Sequence, residues 1–336
     1  MLFTLLAAGT GAKAGQAVVT VMLGLAAALA LYWVLNKVVE LLPGVWEDRT
    51  KPYAYILPAF LAITVYLIYP AIRTIFLSFK NADSTKFIGF KNYSQLLTSH
   101  DFQQALLNTL LWIIIVPAMS IILGLIVAVL ADRLSPNSEK LSKTIIFLPM
   151  AISAVGASTV WAFVYAYEAP GQVQIGIQNA LWTALGNKPV AWLSVQTLHF
   201  NSLLLMVMML WLQVGFSMVL LSAAIKAVPV DTLEAARIDG ANERQIFGRV
   251  VIPQIMPTII TVLVTVVITV MKVFDVVYVM TNGNYNTNVI GLEFFNELFT
   301  DLNNGYAAAI VVMLMVAVIP LMIYQVRQFR AQEAAR

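Results

Sequence analysis

The chain has 336 residues, of which 60% are apolar and only 11% are charged, with a mean hydropathy of +0.83 and a formal net charge of +3. An ordinary soluble domain contains about 25% charged residues, so this composition excludes a water-soluble globular protein. The absence of cysteine excludes disulfides, thiolate metal sites and thiol nucleophiles, and the small net charge gives no support for a nucleic-acid partner.

Seven apolar runs are each long enough to cross a hydrocarbon core about 30 Å thick as a helix. Helices satisfy their backbone polar groups internally, so the runs predict an all-α fold, a polytopic transmembrane helical bundle. The first run is longer than the apolar core of a secretory signal and is therefore expected to be a retained helix. The predicted spans are residues 17–39, 53–79, 105–131, 144–166, 203–225, 257–280 and 306–326.

The distribution of Lys and Arg between the predicted spans indicates the orientation of the bundle. The segments 40–52, 132–143, 226–256 and 327–336 contain twelve Lys and Arg, whereas the alternate segments contain five. Cytoplasmic segments carry the excess of positive charge, so the first set is expected inside. The C-terminus is then cytoplasmic, and the N-terminus lies outside if all seven runs span.

One outer segment, residues 167–202, has a helical pattern of its own. Val173, Ile177, Leu181 and Leu185 recur every four residues, which predicts a short helix at the membrane surface. Two interpretations remain open for this helix. It is either a lid packed on the outer end of the bundle or a docking surface for an external protein.

The inner segment EAARIDGANERQIFGRVVIPQIMP, which starts at Glu234, is polar and helix-prone. Asp231 or Thr232 is expected to cap a first short helix, which Gly240 ends in a left-handed conformation. Asn242 is expected to cap a second helix that ends at the prolines at 253 and 257 before the next span.

The apolar side chains of this segment suggest a partner. Leu233, Ile238 and Phe247 are predicted to be anchors on a protrusion that fits a groove in another protein. The alternative is an amphipathic loop that rests on the membrane surface.

The same segment resembles the cytoplasmic loop shared by the membrane subunits of binding-protein-dependent ABC importers. Its fuller form, EAARIDGA followed by Phe247 and VIP, is similar to the carbohydrate branch of that family, of the maltose or alpha-glucoside type. Further matching stretches are FDVVYVMTNG at 274–283 and GYAAAI at 305–310. The residues that carry the resemblance are Glu234, Ala235, Ala236, Asp239, Gly240, Ala241, Phe247, Ile252, Pro253 and Pro257.

The resemblance implies a six-helix importer permease core over residues 53–336, preceded by an extra N-terminal helix and linker over residues 1–52. Coupling helices are implied at about 229–256, with ATPase contacts at Glu234, Ala235, Ala236, Asp239, Gly240, Ala241 and Phe247.

The resemblance also implies the partners and the location. These are a second, homologous permease subunit, two copies of an ATP-binding subunit, and a periplasmic or extracellular solute-binding protein that delivers a sugar. The chain would lie in the bacterial cytoplasmic (inner) membrane. Mg-ATP would be bound by the ATP-binding subunits, and no cofactor is expected in this chain. The sequence contains no Gly-Lys dipeptide and therefore no G-x-x-x-x-G-K-[ST] phosphate loop, which agrees with ATP hydrolysis on another polypeptide.

Polar residues inside the predicted spans are candidates for a substrate path, because ionisable groups at membrane depth are costly. Lys272 and Asp275 are three positions apart and are expected to share a helix face, either as a neutralising pair or as part of a sugar path. The predicted path residues, chosen for hydroxyl-matching or ring-stacking side chains, are Asn108, Trp161, Gln213, Asp275 and Tyr278.

Two other classes of function are alternatives to an importer subunit. An ion-coupled secondary transporter commonly shows repeated halves and mid-membrane carboxylates, and neither is evident in this sequence. A membrane-embedded enzyme needs a clustered catalytic constellation, whereas the acidic residues are scattered over loops. No catalytic residue and no metal site are predicted.

Overall fold

A computed structural model describes residues 2–334, with side chains described for residues 15–320 and for positions 322–324, 326, 327 and 330. Residues 335 and 336, part of the predicted inner C-terminal segment, lie outside this range. The fold is all-α, as predicted. The helices are α1 (Leu2–Glu40), α2 (Gly44–Leu77), α3 (Lys91–Thr98), α4 (His100–Ala131), α5 (Pro136–Ala151), α6 (Ala154–Val164), α7 (Ile177–Ala184), α8 (Phe200–Lys226), α9 (Val230–Ile238), α10 (Glu243–Met271), α11 (Asp275–Met280), α12 (Ile290–Phe295) and α13 (Asn304–Ala334).

The chain forms two compact units, residues 1–73 and 74–336. In the first unit, α1 packs on α2 through Tyr32 and Tyr55, whose rings stack with centroids 6.1 Å apart. The Tyr55 hydroxyl donates a 2.7 Å hydrogen bond to Asn36. The predicted division of the chain at residues 52 and 53 stays a prediction.

Most predicted spans are present as helices. Within the described residues, six helices are long and apolar enough to cross a membrane: Gly15–Glu40 of α1, then α2, α4, Thr197–Lys226 around α8, α10, and Asn304–Tyr324 of α13. The bent pair α5 and α6 supplies a seventh crossing if it is one broken span.

The prediction of one unbroken span over residues 144–166 is wrong. Helices α5 and α6 meet at 103°. Pro149 lies in a 3₁₀ turn at the end of α5, and Ile152 is extended. Ser153 then caps α6 by accepting a 3.1 Å hydrogen bond from the Gly156 amide, so a new helix starts in a new direction.

The core of the second unit lies between α4, α8 and α10 and is built around Trp112, Val116, Leu205 and Val262. Small residues allow close packing of α4 on α8. The hydroxyls of Ser120 and Ser217 are hydrogen-bonded at 2.7 Å inside the bundle. This packing holds α4 against α8. The chain that follows each of these helices belongs to a predicted cytoplasmic segment, 132–143 after α4 and 226–256 after α8.

The predicted outer helix is confirmed as α7, although it starts after Gly176 and leaves Val173 outside. The buried Asn179 holds it, donating to the Ala166 and Val190 carbonyls at 3.0 and 2.9 Å. Ile177 and Leu181 face outward and are 60% and 65% exposed. Against the part of the chain that the structure describes, these two apolar side chains of α7 therefore remain mostly unpacked.

Candidate functional site

The elbow, residues 229–247 of the predicted inner segment, begins with α9 and is called the inner elbow below. Pro229 takes the N-cap position with extended backbone angles, and no side chain caps the helix. The prediction that Asp231 or Thr232 is the cap is therefore wrong, because both already lie in the first turn of the helix. Asp231 still lies next to the positive end of the helix dipole, where a carboxylate is stabilising.

The turn of the elbow forms as predicted. Gly240 has φ +81°, a conformation that glycine adopts without steric cost. Its amide donates to the Arg237 carbonyl at 3.0 Å, and the Ala241 amide donates to the Ala236 carbonyl at 3.1 Å. These two bonds are those of a Schellman motif, which satisfies the last carbonyls of α9.

Asn242 caps the second helix, as predicted. Its side chain accepts from the Gln245 amide, and the Gln245 side chain accepts from the Asn242 amide, both at 2.9 Å. The prediction that this helix ends at Pro253 and Pro257 is wrong, because α10 continues to Met271. Within α10, a π-helical turn at Phe247–Val251 precedes an α-helical stretch that starts at Ile252. Pro253 therefore lies in the first turn of that stretch, where its missing N–H costs little.

A small apolar core stiffens the elbow. Its buried members include Ile246 and Ile255, and Leu233 and Phe247 pack against them. Of the three predicted anchors, these last two therefore serve the elbow's own packing. Ile238 is 86% exposed at the tip. Around it, Glu234, Ala235, Asp239 and Gly240 are exposed, while Ala236 and Ala241 are partly buried.

A cavity of about 410 Å³ lies where α8, α10 and α11 meet the bend between α5 and α6. Gln213 and Asp275, two of the predicted path residues, both line it. A break between α10 and α11 at residues 272–274 forms part of its wall. The remaining lining residues are Met150, Ile152, Ala154, Met209, Leu212, Thr269, Lys272, Val273, Phe274 and Val276.

The expected arrangement of Lys272 with Asp275 on one helix is not observed. Lys272 is the C-cap of α10, and Asp275 starts α11. Among the described residues, the ion pairs do not include these two. Both side chains instead line the cavity, which places a cationic and an anionic group at its wall.

The two aromatic path candidates, Tyr278 and Trp161, differ in whether they contact a residue that lines this cavity. The ring of Tyr278 stacks on the cavity-lining Phe274 at 5.1 Å and is tilted against Phe295 at 5.3 Å. Trp161 packs on Tyr165 and Trp211, with centroids 5.4 and 5.9 Å away. Tyr278 thus lies directly behind the cavity-lining Phe274, whereas Trp161 belongs to the packing between α6 and α8.

Asn108 lies apart from Gln213 and Asp275. It is buried, and its amide donates to the main-chain carbonyls of Asn286 and Asn288 at 2.7 and 2.8 Å. Asn201, which the sequence analysis did not single out, donates to the Tyr285 carbonyl at 2.8 Å. Both amides hold the irregular segment 281–289. An asparagine at the outer end of an apolar run was the available signal for Asn201.

Asn108 also borders a second cavity of about 330 Å³, which is rich in carboxylates. Burial raises the pKa of Glu293 above its ordinary value. A hydrogen bond from Asn288 at 2.6 Å opposes the rise, and Asp101 and Asp301 add to it. The Glu293 carboxyl therefore holds its proton to a higher pH than a solvated one.

Asn108→Asp is expected to lower the stability of the folded chain by about 2–3 kcal/mol, because it removes the buried amide donor that two main-chain carbonyls share. The variant keeps the size of the side chain and sets a carboxylate against those carbonyls. Thermal unfolding in detergent measures the change, with Asn187→Asp on the exposed outer segment as the matched control. Equal unfolding temperatures for both variants and the unmodified chain would contradict the assigned role.

Comparison with known proteins identifies the family. Residues 120–332 match the family described as "Binding-protein-dependent transport system inner membrane component". The chain is 48% identical over 282 residues to the osmoprotective compounds uptake permease protein GgtC of Synechocystis sp., covering 84% of this chain and 100% of that protein. It is 40% identical over 325 residues to the alpha-glucoside transport system permease protein AglF of Rhizobium meliloti, covering 93% and 96%.

The fold also matches a solved structure. A chain of a bacterial ABC transporter that imports the acidic polysaccharide alginate superposes with a TM-score of 0.73 at 23% identity, covering 86% of this chain and 99% of that one. At this identity the likeness concerns the fold.

The family and relatives confirm the resemblance drawn from the inner segment, and they confirm a transport subunit rather than an enzyme. They support neither alternative, the ion-coupled transporter or the membrane-embedded enzyme. The chain belongs to the binding-protein-dependent transport system inner membrane components and is a multi-pass permease subunit of an ABC importer.

Proposed function

We propose that the chain forms part of the translocation path for an oligosaccharide or glycoside. The observation that carries this proposal is the cavity at the break between α10 and α11, where Gln213 and Asp275 converge. Sugars need hydrogen-bonding groups for their hydroxyls and ring faces for their carbon skeletons. The cavity offers both, with Phe274 as the ring. The relative named for alpha-glucoside transport supports the same substrate class.

The helix break contributes to this site. A break inside a transmembrane helix frees main-chain groups at the adjacent cavity, and transporters commonly bind substrate at such points. Lys272 and Asp275 flank the break, and the rings of Phe274 and Tyr278 continue from it. We assign Gln213 and Asp275 to the path, with Tyr278 at its edge. Trp161 and Asn108 support the surrounding packing.

The inner elbow is the proposed contact with a separate ATP-binding subunit. Its tip presents Ile238 and Ala235 beside Glu234 and Asp239, while its base is stiffened by apolar packing. Such a protrusion suits insertion into a cleft. Mg-ATP would be bound and hydrolysed on two copies of that subunit, and closure of the pair would push the elbows together and rotate the helices between inward-open and outward-open states.

The complete importer would also contain a second, homologous permease subunit and an external solute-binding protein that delivers the sugar. The distribution of Lys and Arg supports insertion into the bacterial inner membrane with the elbow and the C-terminus in the cytoplasm. The segment 167–202 and the second cavity then face the outside.

Uptake measured in proteoliposomes with the ion gradients collapsed tests the proposed function. The assembled importer, with its solute-binding protein outside and ATP inside, is expected to accumulate labelled maltose or an alpha-glucoside, and an ATPase inhibitor should stop the uptake. Uptake that follows a proton or sodium gradient and ignores ATP would overturn the proposal.

Gln213→Leu is expected to raise the half-saturating sugar concentration for transport about tenfold, which corresponds to the loss of about 1.4 kcal/mol of binding. The substitution keeps the approximate size of the side chain and removes its hydrogen-bonding groups from the cavity. Gln16→Leu on α1 is the matched control, because Gln16 is exposed. An unchanged half-saturating concentration for Gln213→Leu would remove this residue from the path.

A further inference from the structure

A cluster of ion pairs joins three helices at the inner end of the bundle. Glu139 on α5 accepts from Lys226 at the end of α8, at 2.5 Å, and from Lys143 one turn along α5. Lys226 also pairs with Asp132, directly after α4, at 3.1 Å. Lys143 donates to Ser222 on α8. The cluster therefore connects α5 and α8 to the residue that follows α4.

Part of the cluster is shielded from water. The side chains of Glu139 and Lys143 are 16% and 18% exposed, whereas those of Lys226 and Asp132 are 48% and 40% exposed. Reduced contact with water strengthens an interaction between charges. Glu139 is also shared by two lysines, so a single substitution at this position breaks both contacts.

A second contact fixes α5 to α8 nearer the cavity. A Cβ atom at Gly215 would lie 2.5 Å from the Ile146 carbonyl oxygen and 2.7 Å from the Phe147 Cα. The two backbones therefore touch here, with no room for a side chain. The ion cluster at one end and this contact at the other hold α5 and α8 together along most of α5.

The two ends of this helix pair lie at the two functional regions. Lys226 is three residues before Pro229, where the elbow begins. At the other end, α5 leads into the bend whose residues Met150 and Ile152 line the cavity. A displacement of the elbow thus has a direct mechanical route through Lys226 and Glu139 to the cavity wall.

We propose that the cluster of Glu139, Lys226 and Lys143 transmits the motion of the elbow to α5 and so couples ATP hydrolysis to the opening of the cavity. Glu139 is a positioning residue in this scheme and touches neither sugar nor ATPase. The inference rests on the proposed function, an importer driven by a separate ATP-binding subunit.

The test is the number of sugar molecules transported per ATP hydrolysed by the assembled importer in proteoliposomes. Glu139→Gln and Lys226→Gln are each expected to lower this ratio at least fivefold, while the ATP-binding subunits still co-purify and hydrolyse ATP. The double variant is expected to be no worse than the single ones, because both remove the same link. Lys51→Gln, which breaks a partly buried pair with Glu47 in the first unit, far along the chain from the elbow, is the matched control.

A covalent replacement keeps the test decisive if the single variants assemble poorly. The chain contains no cysteine, so Glu139→Cys with Lys226→Cys can be joined by a short bis-methanethiosulfonate reagent, which forms one reducible disulfide with each thiol and releases methanesulfinate. Coupling should return on cross-linking and fall again on reduction. A normal ratio in Glu139→Gln, or no recovery after cross-linking, would overturn the inference. Failure of the unmodified importer to use ATP would instead overturn the proposed function.

Discussion

Gly240→Val is expected to reduce recovery of the ATP-binding subunit with this chain at least tenfold, while insertion into the membrane continues. Gly240 has φ +81°, and a left-handed conformation costs other residues about 1–2 kcal/mol, with a larger cost for β-branched ones. Apart from Gly240 and its two chain neighbours, no atom of the described residues lies within 4 Å of the added Cβ, so the effect comes from the backbone conformation. The chain would have to abandon the Schellman turn that sets the shape of the elbow.

Two control variants isolate the conformational cause of this loss. Gly240→Asn should retain most of the recovery, because asparagine tolerates the left-handed region better than valine. Gly248→Val adds the same side chain at a helical position of α10 with equally open surroundings, and it should leave recovery near normal. Co-purification with Gly240→Val at the level of the unmodified chain would contradict the assignment of the elbow.

Gly215→Val is expected to destabilise the second unit by about 3 kcal/mol and to abolish uptake. Overpacked cores cost about 1–3 kcal/mol and occasionally more, and here the obstructing atoms are the backbone of residues 146 and 147, which cannot rotate away. Helices α5 and α8 would have to separate. Thermal unfolding in detergent and uptake in proteoliposomes measure the two effects.

Gly24→Val on α1 is the corresponding control for this substitution, because a Cβ at Gly24 meets no atom within 4 Å. It should change neither the unfolding temperature nor uptake. A variant at Gly215 that unfolds and transports like the unmodified chain would show that α5 and α8 are free to move apart. That result would also remove one of the two contacts on which the coupling inference depends.

Features that depend on local sequence could be predicted. Membrane-crossing helices can be predicted from apolar runs, because a helix of about 20 apolar residues is long enough to cross the hydrocarbon core of the bilayer. Gly240 and Asn242 were predictable because a left-handed glycine and a side-chain cap act within a few residues of their own positions. The family resemblance was carried by the same short segment.

Features that depend on distant contacts could not be predicted. The α10–α11 break at residues 272–274 interrupts a run that was predicted as one span; Lys272 and Asp275 flank the break, but their positions alone predict a shared helix face as readily as a break. No sequence pattern predicts the π-helical turn that accommodates Pro253. Both were therefore missed, as was the sharp bend between α5 and α6.

The same distinction explains the outcome for individual site residues. Gln213 and Asp275 stood out as polar groups in apolar runs, and the structure brings them to one cavity. Asn108 stood out for the same reason, but its partners are carbonyls 178 and 180 positions away. Glu139 was not singled out, because its link to Lys226 crosses 87 positions.

Site-directed cross-linking from the tip of the elbow tests directly whether a separate ATPase drives this bundle. The chain has no cysteine, so Ile238→Cys gives a single thiol at a side chain that is 86% exposed. Leu198→Cys, at an 88% exposed position on the outer segment, is the control. We predict that a short cross-linker with one thiol-reactive and one photoreactive arm joins Ile238→Cys to the ATP-binding subunit and leaves Leu198→Cys unjoined to it. Cross-linking of neither position, or equal cross-linking of both, would contradict the elbow's role as the contact with the ATPase.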